Sequence, residues 1–179
     1  GVRLVGSEMC IRDSGRVVAL LELEDDRSRV RLVPDLGGAI ADMDAKLSGR
    51  LAPVLRRWDG PQTGWIGVGS NILVPFSNRI SGGGFYFDQG GSATFHPLHP
   101  NVENLDPFPL HGDGLLKSWQ VVSHSSTDVI LRLVNGEIGD FRYAAEVRYL
   151  LSSGTLNITL RVTNNCLLYT SPSPRDGLL

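Results

Sequence analysis

The chain has 179 residues, with 17 Lys and Arg against 19 Asp and Glu and a formal net charge of −2. That balance gives no broad electrostatic ground for nucleic acid or a membrane surface as a partner. No apolar run approaches the length of a membrane-spanning helix.

The two ends read differently from the middle. Residues 4–14 can be encoded by a DNA segment whose opposite strand, in a shifted frame, encodes Cys166 to Arg175. Such complementarity points to a sequencing adapter of the transposase type. Residues 1–14 and 166–179 are therefore expected to be adapter-derived and non-native, leaving 15–165 as a partial domain. Both cysteines, Cys10 and Cys166, fall outside that segment, so neither a disulfide framework nor a cysteine-based zinc site is expected. Lack of cysteine and of an apolar leader in residues 1–14 suggests a cytoplasmic location. All-β sandwiches commonly run to about 200–250 residues, so a boundary at Asn165 is expected to cut a domain.

Taken in chain order, the pattern is β. Val17 to Leu23 and Val30 to Val33 flank a turn at Glu24-Asp25-Asp26-Arg27. Pro34 to Ala39 carries two glycines but no Walker lysine, and reads as a tight turn rather than a phosphate loop. Residues 81–115 are rich in Gly, Pro, Asn and His, with little periodicity beyond Phe85-Tyr86-Phe87. A long irregular stretch of this kind within a compact domain is usually functional. Trp119 to Val122 reads as a strand, and Val129 to Val134 as a strand apolar on both faces. Tyr143, Ala145, Val147, Tyr149 and Leu151 alternate with polar residues, and Leu156, Ile158, Leu160 and Val162 do the same after a turn at Ser152-Ser153-Gly154. Each predicts a half-buried strand, the two joined as a hairpin. Strands of this kind with short turns predict packed antiparallel sheets.

Two places could carry chemistry. Ser77-Asn78-Arg79-Ile80 follows the apolar run Ile72 to Phe76. Arg79 offers a rigid fork of donors suited to carboxylates or hydroxyl-rich ligands, or it bonds loop carbonyls as a structural arginine. Leu110-His111-Gly112 follows Pro107-Phe108-Pro109. His111 is a neutral-pH acid/base group at a turn, or a loop histidine satisfied by carbonyls. Asp113 could orient an imidazole or a sugar hydroxyl, or be a solvated turn residue. His96 and His99 have the spacing of a weak metal pair without a third ligand and read as loop histidines; His124, at a strand end, is expected to be exposed. No metal or cofactor is expected.

The ordered set resembles the aldose 1-epimerase (galactose mutarotase) family. Val33 to Ile40 is similar to its Pro-x-x-Gly-Gly turn. Leu73 to Ile80 is similar to its Pro-(Tyr/Phe)-(Ser/Ala)-Asn-Arg-Ile segment, Phe85 to Phe87 to the strand that follows, Leu110 to Gly112 to its Leu-His-Gly, and Trp119 to the tryptophan opening the next strand. The resemblance implies an all-β, galactose-mutarotase-like β-supersandwich, present as roughly its N-terminal half. It implies interconversion of the α and β anomers of a free aldohexose without a cofactor. His111 would stabilise or protonate near the ring oxygen, Arg79 would hold substrate hydroxyls, and Asn78 would support the loop. The family's second histidine, a substrate-binding Asp and the base Glu would lie beyond Asn164, and neither Glu137 nor Glu146 matches that base. The chain alone is therefore expected to be inactive. A non-catalytic carbohydrate-binding sandwich and a sugar-phosphate epimerase of the same superfamily are the alternatives.

Overall fold

The computed structural model describes residues 8–13, 16–88, 91–102 and 105–165. The described chain is built mainly of strands. Five form one antiparallel sheet in sequential order: β1 (Glu8–Asp13), β2 (Arg16–Glu24), β3 (Ser28–Val33), β4 (Ala39–Leu47) and β5 (Arg50–Pro53). A hairpin of β6 (Gly84–Asp88) and β7 (Ala93–Pro97) follows. The last sheet runs in the order β11 (Thr155–Asn164), β10 (Phe141–Ser152), β9 (Asp128–Ile138), β8 (Gln120–His124). This is the all-β architecture that the alternating pattern predicts.

The chain divides into two compact units. The first holds the five-stranded sheet with Leu115–Leu133 and Glu146–Arg161. Its core is apolar: Leu20, Leu32, Val33, Ala39, Leu131 and Val147 are all essentially inaccessible to solvent. The turn after β3 closes this core. Gly37 and Gly38 both have positive φ, and a Cβ on Gly37 would lie 2.5 Å from the backbone of Leu115, so glycine is required there. Tyr149 donates its hydroxyl to the Gly38 carbonyl at 2.6 Å. On β3 and β4, Arg31 pairs with Asp42, and Arg29 with Asp44 at 2.7 Å. Both aspartates are buried, and burial of a carboxylate is tolerated only with such pairing.

Asp25 fixes the turn between β2 and β3. Its Oδ1 accepts the Arg27 and Ser28 amides at 2.8 and 2.7 Å. Its Oδ2 accepts the Gly154 amide at 2.7 Å, across 129 residues of chain. Burial works against the charged form, but these bonds and the nearby Lys46 outweigh it and hold the carboxyl below its ordinary range.

The second unit holds Leu73–Gly114, Val134–Ala145 and the chain from Val162. Its core gathers Phe76, Leu98 and Ile138, with Ile80, Phe85 and Phe141 packed against them. Phe85 lies 5.3 Å from Phe141 between ring centroids, within the range of favourable aromatic pairing.

Several expectations are corrected. Residues 81–115 contain a regular hairpin, β6–β7. His96 is a buried strand residue rather than a loop one. Its Nδ1 is 2.7 Å from Asp140 Oδ2, and its ring stacks on Phe85 at 5.3 Å. His124 is buried, not exposed, with Nε2 3.2 Å from the Glu22 carbonyl. Strand β9 is buried on one face only, through Val129, Leu131 and Leu133, and the alternation changes phase near Asn135 so that Gly136 and Ile138 turn inward. The sharpest difference is β11. Its alternation predicts a half-buried strand, yet Ile158, Leu160 and Val162 are 41–46 % exposed. As the edge strand it has β10 on one side only, and no described element covers its apolar row.

Leu131→Ala in the first core is expected to cost about 2 to 5 kcal/mol, while Leu160→Thr on β11 changes stability by no more than about 0.5 kcal/mol. Urea denaturation of the two variants checks the contrast.

Candidate functional site

The site lies within the second unit, where two loop segments meet backbone to backbone. Arg79 and Leu110 form an isolated antiparallel bridge. The His111 amide donates to the Asn78 carbonyl at 2.8 Å, and the Asn78 amide donates to His111 Nδ1 at 2.8 Å. This reciprocal clamp requires unusual backbone at both residues: φ is 64° at Asn78 and 62° at His111. Asparagine is among the residues that tolerate this left-handed region. Gly112 follows with φ 70°, and a Cβ there would sit 1.9 Å from the Val74 carbonyl oxygen. Only glycine lets the chain approach Val74 so closely, which gives the His-Gly step a physical reason.

The clamp sets the chemistry of His111. Because Nδ1 accepts a backbone N–H, the proton of the neutral ring resides on Nε2. Partial burial, and next the charge of Arg79, push the imidazole below its ordinary value of 6.5. His111 is thus held as a neutral hydrogen-bond donor.

Arg79 is held by two contacts. Its Nε donates to Asp106 Oδ2, and its Nη1 donates to Asn78 Oδ1 at 3.2 Å. About half of its side chain, 49 %, remains exposed. The Asp106 carboxyl is held below its usual range by Arg79 and then by the Phe108 amide, which donates to Oδ1 at 3.0 Å.

Asp113 occupies a different setting from a solvated turn. It is buried. Oδ1 accepts the Tyr143 hydroxyl at 2.6 Å and Oδ2 the Glu137 amide at 2.9 Å. The Tyr143 oxygen also lies 3.1 Å from the Val74 carbonyl. Burial first, and then the Asp113 carboxylate, drive the Tyr143 phenol far up, so it stays protonated. Asp113 thereby fastens the segment following His111 to β9 and β10.

Sequence reasoning brought Asn78, Arg79 and His111 together but missed three supporting residues. Asp106 carries the ion pair to Arg79. Asn101 holds the loop from inside: Nδ2 donates to the Leu110 and Gly112 carbonyls at 3.0 and 2.6 Å, and Oδ1 accepts the Leu110 amide at 2.7 Å. Tyr143 looked like one more apolar position of a strand. A polar residue in Asp-Pro-Phe-Pro and an asparagine nine residues before Leu110 were the available signals.

Tyr143→Phe removes the hydroxyl donated to the buried Asp113 carboxylate and is expected to cost about 1 to 3 kcal/mol in urea denaturation. His111 should titrate below 6.5 by NMR, and Arg79→Gln should raise that midpoint. The unfolded chain binds this proton first as pH falls through the ordinary imidazole range, so the group withdraws stability there.

The profile of the aldose 1-epimerase family matches residues 19–170. The protein YphB of Escherichia coli K12 is 44% identical over 92 residues, covering 51% of this chain and 30% of that protein. The structure of a candidate aldose 1-epimerase from Escherichia coli K12 superposes with a TM-score of 0.69 at 31% identity, covering 82% of this chain and 46% of that one. A GalM/aldose epimerase homologue from C. elegans shares the fold, with a TM-score of 0.67 at 19% identity over 83% of this chain and 47% of that one. The chain thus spans about half the length of these two solved structures, and because the family profile runs through most of its residues, the chain belongs to the aldose 1-epimerase family.

Proposed function

We propose that the Arg79–His111 site receives a free aldohexose, and that the whole protein interconverts the α and β anomers of that sugar. The observation that carries the reading is the Asn78–His111 clamp. It presents an Nε2–H donor from a neutral ring beside an arginine already paired to a carboxylate. Sugar hydroxyls and ring oxygens are neutral acceptors, and directed donors suit them. The Arg79–Asp106 pair leaves little net positive charge, whereas phosphate recognition recruits several donors and unpaired cations. This favours a free sugar over a sugar phosphate.

Anomer exchange requires a base to take the proton of the C1 hydroxyl as C1=O forms and the bond from C1 to the ring oxygen breaks. The ring oxygen receives a proton, C1–C2 rotates, and closure reverses the steps. A neutral Nε2–H can stabilise the negative charge that develops on oxygen. Giving that proton away would leave an imidazolate, so in this reading His111 stabilises and a separate acid protonates. Arg79 holds hydroxyls, with Asn78 supporting both.

A second reading, sugar binding without turnover, is favoured for this polypeptide by a specific observation. The two described carboxylates nearest the clamp in sequence are both engaged, Asp106 with Arg79 and Asp113 with Tyr143, and neither is placed as a base.

The 179-residue chain is expected to leave the polarimetric decay of α-D-galactose at the rate of an Arg79→Ala/His111→Ala control. Galactose should shift the His111 ring signals of the unmodified chain and not those of an Arg79→Ala variant. Mutarotation clearly above that control overturns the inactivity, and absence of any galactose-induced shift overturns the sugar site.

A further inference from the structure

We propose that Asp106 is a positioning residue of this site, which holds the Arg79 guanidinium beside the loop carrying His111 so that a sugar meets a preset fork of donors. The proposal rests on the reading of Arg79 and His111 as a sugar site.

Three observations carry it. Arg79 is half exposed, and a long, exposed arginine has rotamer entropy to lose before it can bind in one pose. An arginine left unrestrained would lose that freedom on each encounter with ligand; one already restrained would not. Next, Asp106 is itself fixed. Its side chain is only 8 % exposed, its second oxygen accepts the Phe108 amide, and Pro107 and Pro109 restrict the backbone on its C-terminal side. A carboxylate so held can act as a template. Finally, the contact is made to Nε, the inner edge of the guanidinium, while Nη1 leans on Asn78. Two points of contact set both the position and the plane of the group. Asn78 is also the residue whose amide caps His111 Nδ1. The arginine plane and the imidazole tautomer are therefore referred to one backbone unit.

A purely structural Asp106, pinning the loop through Phe108 alone, would not control Arg79. The test uses the 179-residue chain with ring-labelled histidine, and D-galactose as probe. Asp106→Asn should let Arg79 leave, so the His111 midpoint rises, as it does in Arg79→Gln, and the double variant shows no further rise. Affinity for galactose should fall about tenfold, the scale of a lost charge-assisted hydrogen bond. If Arg79 stays in place without its carboxylate, removal of a nearby negative charge lowers the midpoint. A lowered or unchanged midpoint in a folded Asp106→Asn protein therefore overturns the proposal. A measurement on the unmodified chain guards against a variant that does not fold. The Arg79 Nε–H should give a resolved signal at neutral pH that exchanges slowly with water, and exchange as fast as a free arginine side chain also overturns the proposal. A chain whose His111 does not respond to galactose sinks the sugar reading instead; the midpoint and exchange outcomes need no sugar and judge the clamp by themselves.

Discussion

The candidate site depends on how closely the backbone after His111 approaches the carbonyl of Val74. That oxygen accepts the Gly114 amide at 3.2 Å, lies 3.1 Å from the Tyr143 hydroxyl, and leaves no room for a side chain on Gly112. Because the two segments touch there, Asn78 and His111 come within reach of one another, and each can satisfy the other's backbone. Strained left-handed conformations at two non-glycine residues persist only where surrounding bonds over-determine them. Here the Asn101 amide, the Arg79–Leu110 bridge and the Tyr143–Asp113 bond supply those constraints.

The consequence for chemistry is a division between what is exposed and what is fixed. In the proposed reading Arg79 and His111 meet the sugar, while Asp106, Asn101, Asp113 and Tyr143 direct their polar atoms to the protein. Preorganised donors gain their effect because they need not reorganise as charge develops. The site's carboxylates are thus invested in geometry.

How much of this was legible in the sequence depended on the range of the interactions involved. Strand β10 was read correctly because period-two alternation is local, and Tyr143 to Leu151 follow it without interruption. The Ser153-Gly154 turn and the Gly37-Gly38 turn were legible because positive φ restricts residue choice. Asn78, Arg79 and His111 were singled out because their motifs are contiguous. Asp106, Asn101 and Tyr143 were not, since their partners lie 9 to 30 residues away and a carboxylate in a proline-rich loop carries no mark of its target. His96 and His124 were misplaced for a related reason. A histidine is buried when a partner awaits it, and Asp140 and the Glu22 carbonyl lie 44 and 102 residues distant. β11 shows the converse: its pattern is that of a half-buried strand, but pattern records which face is apolar, not whether anything covers it.

The Asp25 carboxylate has a consequence for the order of assembly. It joins the turn between β2 and β3 to the turn between β10 and β11, 129 residues later. Contacts of such sequence separation form late, because loop closure must be paid before they reward the chain. During synthesis from the N-terminus, the β2–β3 turn is complete long before its distant donor exists, and one oxygen of Asp25 faces water until Gly154 emerges. The turn between β2 and β3 therefore completes its set of hydrogen bonds only once the turn between β10 and β11 has formed beside it.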